Sequence, residues 1–166
     1  MNSYGYQFTN CHSLEEINLS LISSIPVGMF NSCWSLSSYT FSDVSYISNY
    51  AFGYCSSLTE VSFPNISIIN NGVFANCLSL SSVYCPSVTT IGSYAFQSCV
   101  SLSNITFGNV TTIGIYAFYS CISLTQIEIP NSVASIRSYA FSGCTSLTGI
   151  EIPNSVTSIE SYAFSD

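Results

Sequence analysis

The sequence predicts a β-rich solenoid in which one short unit repeats along the whole chain. Its cysteines recur at five intervals of 22 residues and one of 23. A repeat of this length is typical of arrays in which each coil packs only on its neighbours. The cysteines that mark the seven predicted coils, numbered one to seven, are Cys11, Cys33, Cys55, Cys77, Cys99, Cys121 and Cys144.

Each coil carries the same set of apolar positions around its cysteine. A phenylalanine stands three residues before the cysteine and a leucine three residues after it, as Phe118 and Leu124 do in coil six. Two more apolar residues follow six and eight positions past the cysteine, there Ile127 and Ile129. Alternation with period two is typical of a strand with one face in the core. We therefore expect seven short parallel strands, one per coil.

The rest of the coil is predicted from proline and from apolar spacing. Pro64, Pro86, Pro130 and Pro153 directly follow the strand positions, and a residue without an N–H cannot continue a central ladder. A second extended segment then has apolar residues three apart. The Tyr-Ala-Phe-x-x-Cys string closes the coil as a single helical or 3₁₀ turn, because too few residues remain for a full helix.

Composition excludes several classes of function. The chain is 48% hydrophobic and 5% charged, with a net charge of −7 and Arg137 as its one basic residue. No apolar run approaches the ~18 residues of a spanning helix, and nucleic acid or an anionic membrane surface would require clustered Lys or Arg. The N-terminus has no signal-peptide pattern and neither end has a polar capping coil. We expect residues 1–166 to form one array cut from a longer one.

The eight cysteines admit two interpretations. Stacked coils bring equivalent residues within reach of a disulfide, as in small secreted proteins. The seven regularly spaced cysteines, however, are odd in number and lie between inward Phe and Leu positions. Free buried cysteine behaves as a small apolar residue, so a structural column of thiols is favoured. Cys85 occupies a strand position and is also predicted to be in the core.

Few residues are candidates for a catalytic or metal-binding site. The chain has one histidine and no C-x-x-C pair, so no metal site or cofactor is expected. Cys11 and His12 are the one candidate nucleophile and base, but nothing supplies a third, orienting group. A calcium site or glycosidase pair would have to come from outward glutamates that fall in separate coils, which is typical of a solvated face. The chain is therefore predicted not to be an enzyme.

Tyrosine recurs five residues before the cysteine position, where it predicts either an exposed aromatic stripe or packing between coils. Packing is the favoured interpretation. The residues are Tyr6, Tyr50, Tyr94, Tyr116, Tyr139 and Tyr162, with Gly28 and Gly72 in two coils.

The full repeat, A-F-x-x-C-x-S-L-x-x-I-x-I-P-x-S-V-x-x-I, is matched almost completely by residues 139–159. It resembles the leucine-rich repeats of the BspA type, found in surface proteins of mucosal bacteria and of protists such as trichomonads. Coil two departs most, with Tyr39 and Phe41 on the strand, and Ser20 and Ser42 replace the proline of coils one and two. The resemblance implies a leucine-rich repeat solenoid with a concave parallel sheet, a cell-surface or extracellular location and adhesion to host or microbial proteins or glycoproteins. It brings no catalytic residues.

Two functions follow as hypotheses. The first is a non-enzymatic binding module that contacts a protein or glycoprotein through the outward strand positions of the concave face. The second is a structural spacer or self-associating array that stacks through apolar end coils. The predicted partner-binding residues are Glu16, Asn18, Ser38, Thr40, Glu60, Ser62, Ser82, Tyr84, Asn104, Thr106, Gln126, Glu128 and Glu151.

Overall fold

The computed structural model describes residues 5–18 and 22–165 and confirms a solenoid built from parallel strands. Leu19 and Ser20, a strand residue and a proline substitute in the sequence pattern, lie outside the described residues. The strands within the described ranges are β1 (Ser24–Ile25), β2 (Ser38–Thr40), β3 (Tyr46–Ile47), β4 (Glu60–Ser62), β5 (Ile68–Ile69), β6 (Ser82–Cys85), β7 (Thr90–Ile91), β8 (Asn104–Phe107), β9 (Thr112–Ile113), β10 (Ser135–Ile136) and β11 (Ser158–Ile159).

The main sheet has the strand order β2-β4-β6-β8 and joins coils two to five. Its register keeps equivalent residues opposite one another, so Val61 pairs with Val83 and Val83 with Ile105. Val61 and Val83 point into the core, whereas their neighbours along the chain point outward. Pro64 and Pro86 follow β4 and β6 as predicted. We call the outward side of these strands, with its continuation at residues 126–129 and 149–152, the strand face.

The second extended segment of each coil forms its own ladder of two-residue strands. Here β1 pairs with β3, β5-β7-β9 form a three-stranded sheet, and β10 pairs with β11. The second residue of most of these strands is fully buried, as Ile47, Ile69 and Ile91 are. The ladder is interrupted twice, between β3 and β5 and between β9 and β10, which are not paired.

The closing turn is not a helix in any described coil, contrary to the expectation of a helical or 3₁₀ turn. Hydrogen bonds from residue i+3 to residue i do occur, such as Cys121 N to Phe118 O at 3.1 Å. Residues with positive φ stand on both sides, at Tyr116 (57°) and Ser120 (56°) in this coil. These left-handed residues interrupt helical geometry. They leave the Phe118 N–H donating to Ala140 O in the next coil at 2.8 Å, a bond that recurs along the array.

Two columns of side chains fill the core. The phenylalanine rings stack from Phe8 to Phe164, for example Phe96 on Phe118 with centroids 5.3 Å apart. The regularly spaced cysteines of coils two to seven are buried, as the structural interpretation predicts. Each of these six thiols donates to a backbone carbonyl of the preceding coil, as Cys77 Sγ does to Phe52 O at 3.0 Å. Burial raises the pKa of both Cys33 and Cys85 to about 12. Only Cys11, in the first coil, is part-exposed.

The described residues of coil one form no strand, and a side chain of coil two takes the place of the strand ladder there. The Tyr39 hydroxyl accepts a hydrogen bond from Ile17 N at 2.7 Å and donates one to Glu15 O at 3.1 Å. One phenol therefore satisfies the two backbone groups that a neighbouring strand would use. The aromatic residue that marks coil two as irregular in the sequence thus ties coil two to coil one.

Coils six and seven also lack the predicted strand, although their inward residues fit the pattern. Ile127 and Ile129 are buried, whereas Ile152 is 39% exposed, so the inward assignment was wrong for Ile152. Ile159 in the second segment is also exposed, at 53%. Both lie in coil seven, where no following coil covers the apolar positions within the described residues.

Candidate functional site

The strand face carries the predicted partner-binding residues in two rows. One row joins Ser38, Glu60, Ser82 and Asn104 across the main sheet, and the other joins Thr40, Ser62, Tyr84 and Thr106. Ser62 and Ser82 are partly exposed, and the other predicted residues of this face are exposed. The structure therefore brings eight of the predicted residues onto one paired sheet. Glu16 and Asn18 lie in coil one, and Gln126, Glu128 and Glu151 lie in coils six and seven.

Tyr84 is the one aromatic residue in these rows and its side chain is 48% exposed. It borders a depression of about 250 Å³ over strands β2, β4 and β6. Tyr39 and Glu60 also line this depression, so it offers a ring edge, a carboxylate and several hydroxyl groups. Tyrosine is favoured in protein interfaces because a rigid apolar ring ends in a polar group.

A larger groove lies between coils six and seven, with a volume of about 830 Å³. Its walls are the two extended segments 126–131 and 149–154, which run beside each other without forming strands. The segments are held together at both ends, by Thr148 N donating to Thr125 O at 3.4 Å and by the β10–β11 pair. Among the described residues, no backbone hydrogen bond joins one wall to the other. We call this opening the coil 6–7 groove.

Residue identity explains why the walls do not pair. Glu128 and Glu151 hold equivalent positions in adjacent coils, so pairing would place like charges opposite each other. Gly149, with poor strand propensity, would stand opposite Gln126. Coils six and seven also have one more residue than coil five between the strand positions and the second segment, as comparison of 129–133 with 107–110 shows. That extra residue coincides with the end of the main sheet at β8 and with a further cavity of about 480 Å³ beside Glu128.

The electrostatics of this face are uniformly acidic. Glu16, Glu60, Glu128 and Glu151 all lie on it, exposed to solvent. Arg137, the one basic residue of the chain, lies elsewhere, with its Nη1 3.4 Å from Glu160 Oε1. Glu160 also accepts hydrogen bonds from the backbone and hydroxyl of Ser138, which lower the pKa of its carboxyl group. No cation therefore stands against the strand-face glutamates.

The geometry does not support the residues that were considered for catalysis or metal binding. The His12 ring stacks on Trp34, with centroids 3.7 Å apart, and the two rings form a surface pair. Within residues 5–18 and 22–165, no three His, Cys, Asp or Glu side chains are grouped so as to hold a metal ion. A search of the same residues for a helix long and apolar enough to cross a membrane finds none.

The tyrosine positions form a column on the closing-turn side, and they do pack between coils. Tyr94, Tyr116, Tyr139 and Tyr162 stack in succession, with centroids 5.2, 4.6 and 5.0 Å apart. Tyr50 instead covers Gly72, where an added Cβ would lie 2.2 Å from its ring. Sequence reasoning missed that all these positions have positive φ. The alternation of Tyr with Gly at one repeat position was the available signal, since Gly favours that conformation.

Comparison with protein families supplies the classification. Residues 4–102 and 67–166 match the BspA type leucine-rich repeat region, with six copies of the repeat. The chain belongs to the BspA-type leucine-rich repeat family. This confirms the resemblance drawn from the repeat pattern. A search of curated proteins finds no significant match.

Solved structures with the same fold come from several bacteria. A leucine-rich repeat protein of T. pallidum is 29% identical, with a TM-score of 0.79 over 87% of this chain and 70% of that one. A leucine-rich repeat protein from Bacteroides ovatus is 25% identical (TM-score 0.56), covering 93% of this chain and 53% of that one. A leucine rich cell surface protein from Faecalibacterium prausnitzii is also 25% identical (TM-score 0.55), covering 86% and 55%. The chain thus spans about half the length of the last two.

Proposed function

We propose that this chain is a non-enzymatic protein-binding module that contacts its partner through the strand face. The observation that carries the proposal is the paired four-stranded sheet, which holds two rows of outward polar side chains around the exposed ring of Tyr84. A sheet fixes the spacing of these groups, and a preorganised surface loses little conformational freedom on binding. Leucine-rich repeat domains generally mediate protein interactions, and family membership supports the same reading.

The setting we propose is a cell surface or the extracellular space, with adhesion to a host or microbial protein or glycoprotein. The support is the resemblance of the repeat and the F. prausnitzii relative, which is described as a cell surface protein. The acidic strand face favours a partner with a basic or neutral contact surface over an acidic one. The contact residues that we propose are the ones predicted from the sequence, from Glu16 and Asn18 at one end to Glu151 at the other.

Site-specific photo-crosslinking tests the proposal. A photoreactive phenylalanine analogue replaces either Tyr84, on the strand face, or Ser67, which is exposed beside β5 on another side of the solenoid. Each protein is incubated with intact epithelial or bacterial cells and then irradiated. We expect one cell-surface protein to be joined through position 84 and not through position 67. We also expect Tyr84→Ala to weaken its binding by about tenfold, within the range of interface hot spots.

Crosslinking through position 67 with no product from position 84 would contradict the proposal. Binding unchanged by Tyr84→Ala together with Thr40→Arg would do the same.

Self-association is the second candidate, and the exposed Ile152 and Ile159 of coil seven favour it. Light scattering over a concentration series tests it. An array that stacks gains mass with concentration and loses that gain in Ile152→Glu/Ile159→Glu, whereas a mass constant at 18.0 kDa contradicts stacking.

A further inference from the structure

The coil 6–7 groove, at about 830 Å³, is larger than the depression beside Tyr84, and nothing in the sequence pattern predicted it. In coils two to five, the strand backbones hydrogen-bond to one another in the main sheet, and the Tyr39 hydroxyl hydrogen-bonds to the backbone of coil one. Pairing ends at β8, so the strand positions of coil six are paired neither with coil five nor with coil seven. In coils six and seven, the backbone groups of Ile127, Glu128 and Ile129 have no hydrogen-bond partner in the described protein. Such groups offer the same pattern of donors and acceptors as the edge of a sheet.

The lining of the groove is also negatively charged. Glu128 and Glu151 both line it, and the sole basic side chain of the chain is engaged by Glu160. Two carboxylates at equivalent positions of adjacent coils repel each other across the opening. A guanidinium or ammonium group between them would remove that repulsion and form charge-assisted hydrogen bonds with both.

We propose that the coil 6–7 groove binds an extended peptide segment that carries a basic side chain. The peptide backbone pairs with the free backbone groups of 127–129 or 150–152, in the manner of strand addition to a sheet edge. Its basic side chain lies between Glu128 and Glu151, and its apolar side chain contacts the exposed part of Ile152. The inference rests on the proposed function and deepens it, because it names a second contact site on the strand face and the chemistry of its ligand.

Two variants test separately how the charge and the shape of the groove contribute to peptide binding. The double variant Glu128→Gln/Glu151→Gln removes the charges and keeps the size of both side chains. Its control is Glu15→Gln, at an exposed glutamate outside the predicted contact residues. The variant Gly149→Leu fills the groove, and a Cβ at this glycine meets no atom within 4 Å, so the fold tolerates the larger side chain. Gly149→Ala is the matched small substitution.

The probe is a blocked, fluorescent peptide of about six residues, the length of an ordinary strand, with alternating arginine and valine. Two control peptides have the same length: one carries proline at its centre in place of valine, and one carries glutamate in place of arginine. Fluorescence anisotropy measures binding to the full chain at low and moderate salt. Circular dichroism checks that each variant is folded.

We expect the arginine–valine peptide to bind the unmodified protein and both control peptides to bind at least about tenfold more weakly, because proline lacks the N–H for strand addition and glutamate is repelled. Glu128→Gln/Glu151→Gln and Gly149→Leu should each weaken binding about tenfold, while Glu15→Gln and Gly149→Ala leave it within about twofold.

Equal binding of the proline peptide would overturn strand addition, because it would indicate charge attraction alone. No binding of the arginine–valine peptide, or an equal loss of binding in Glu15→Gln, would overturn the groove as the site. These failures are distinct from failure of the proposed function, which is read from crosslinking at position 84.

Discussion

Coils two to five and coils six and seven follow almost the same sequence pattern but differ on the strand face. In the first region, four strands pair in register and their outward neighbours are mainly small or neutral. In the second, the inward isoleucines are present but the outward positions are Glu128, Gly149 and Glu151, and the segments do not pair. The inward pattern thus positions a segment at the core, and the outward residues decide whether it joins the sheet.

On the closing-turn side, unlike the strand side, the contacts between coils five to seven are not interrupted. The stacks of phenylalanine and tyrosine rings and the bonds such as Phe118 N to Ala140 O continue through coils five to seven without interruption. These coils are therefore held together on one side while they separate on the other. A solenoid of this kind can open a groove on its strand face without losing the contacts that stack its coils.

The largest expected difference between the regions is in the core. Leu102 is fully buried, so Leu102→Ala should lower the free energy of unfolding by about 2–5 kcal/mol through the cavity it leaves. Leu147 holds the same position in coil seven but is only partly buried, and Leu147→Ala should cost about 1 kcal/mol. Urea unfolding of the two variants measures both values. Equal costs would mean that coil seven is packed as well as coil five.

Alkaline pH should destabilise the protein through its buried thiols. Cys85 ionises near pH 9 in the unfolded chain, but burial raises its pKa in the folded protein to about 12. Its contribution is therefore complete below pH 9 and is lost as the pH rises from 9 towards 12, by about 1.4 kcal/mol per pH unit. Urea midpoints under reducing conditions should fall less steeply between pH 9 and 11 for Cys85→Val than for the unmodified protein. Identical slopes would show that this thiol is not protected from ionisation.

The tyrosine column should contribute to stability where the strand face is open. Tyr139 lies between Tyr116 and Tyr162, and Tyr139→Ala removes both ring contacts at an expected cost of about 1–2 kcal/mol. Tyr50 covers a glycine and stacks on no ring of this column, so Tyr50→Ala is the matched control with a smaller loss. Thermal unfolding of both variants compares them. A greater loss of stability in Tyr50→Ala than in Tyr139→Ala would argue that stacking in the tyrosine column does not stabilise the fold.

The smallest effect comes from giving coils six and seven the outward residues of the paired region. Glu128→Thr/Gly149→Ser removes the charge repulsion and the glycine, and we expect a gain of about 0.5–1 kcal/mol from restored pairing. The matched change Glu60→Thr in β4, where the strand is already paired, should alter stability by less than about 0.5 kcal/mol. The same denaturation series measures both, and a loss of stability in the double variant would contradict this explanation of the groove.

The period of the repeat was sufficient to predict the solenoid, the columns of Phe118 and Cys121 and the outward rows around Tyr84, because each follows from one residue type at one position. The opening between coils six and seven was not predicted, because a template based on inward residues does not register that Glu128 and Glu151 face each other. The role of Tyr39 was missed for a related reason, since its hydroxyl contacts backbone atoms of the preceding coil. Both features depend on pairs of residues about one repeat apart.

Residue-resolved hydrogen exchange of the backbone amides tests the central claim most directly. If pairing ends after β8, the amides of β4 and β6 exchange slowly, while those of 127–129 and 150–152 exchange nearly as fast as in an unstructured peptide. The arginine–valine peptide should then slow exchange in 127–129 and 150–152 and leave β4 and β6 unchanged. Equal protection of all these segments in the free protein would show a continuous sheet and contradict the account.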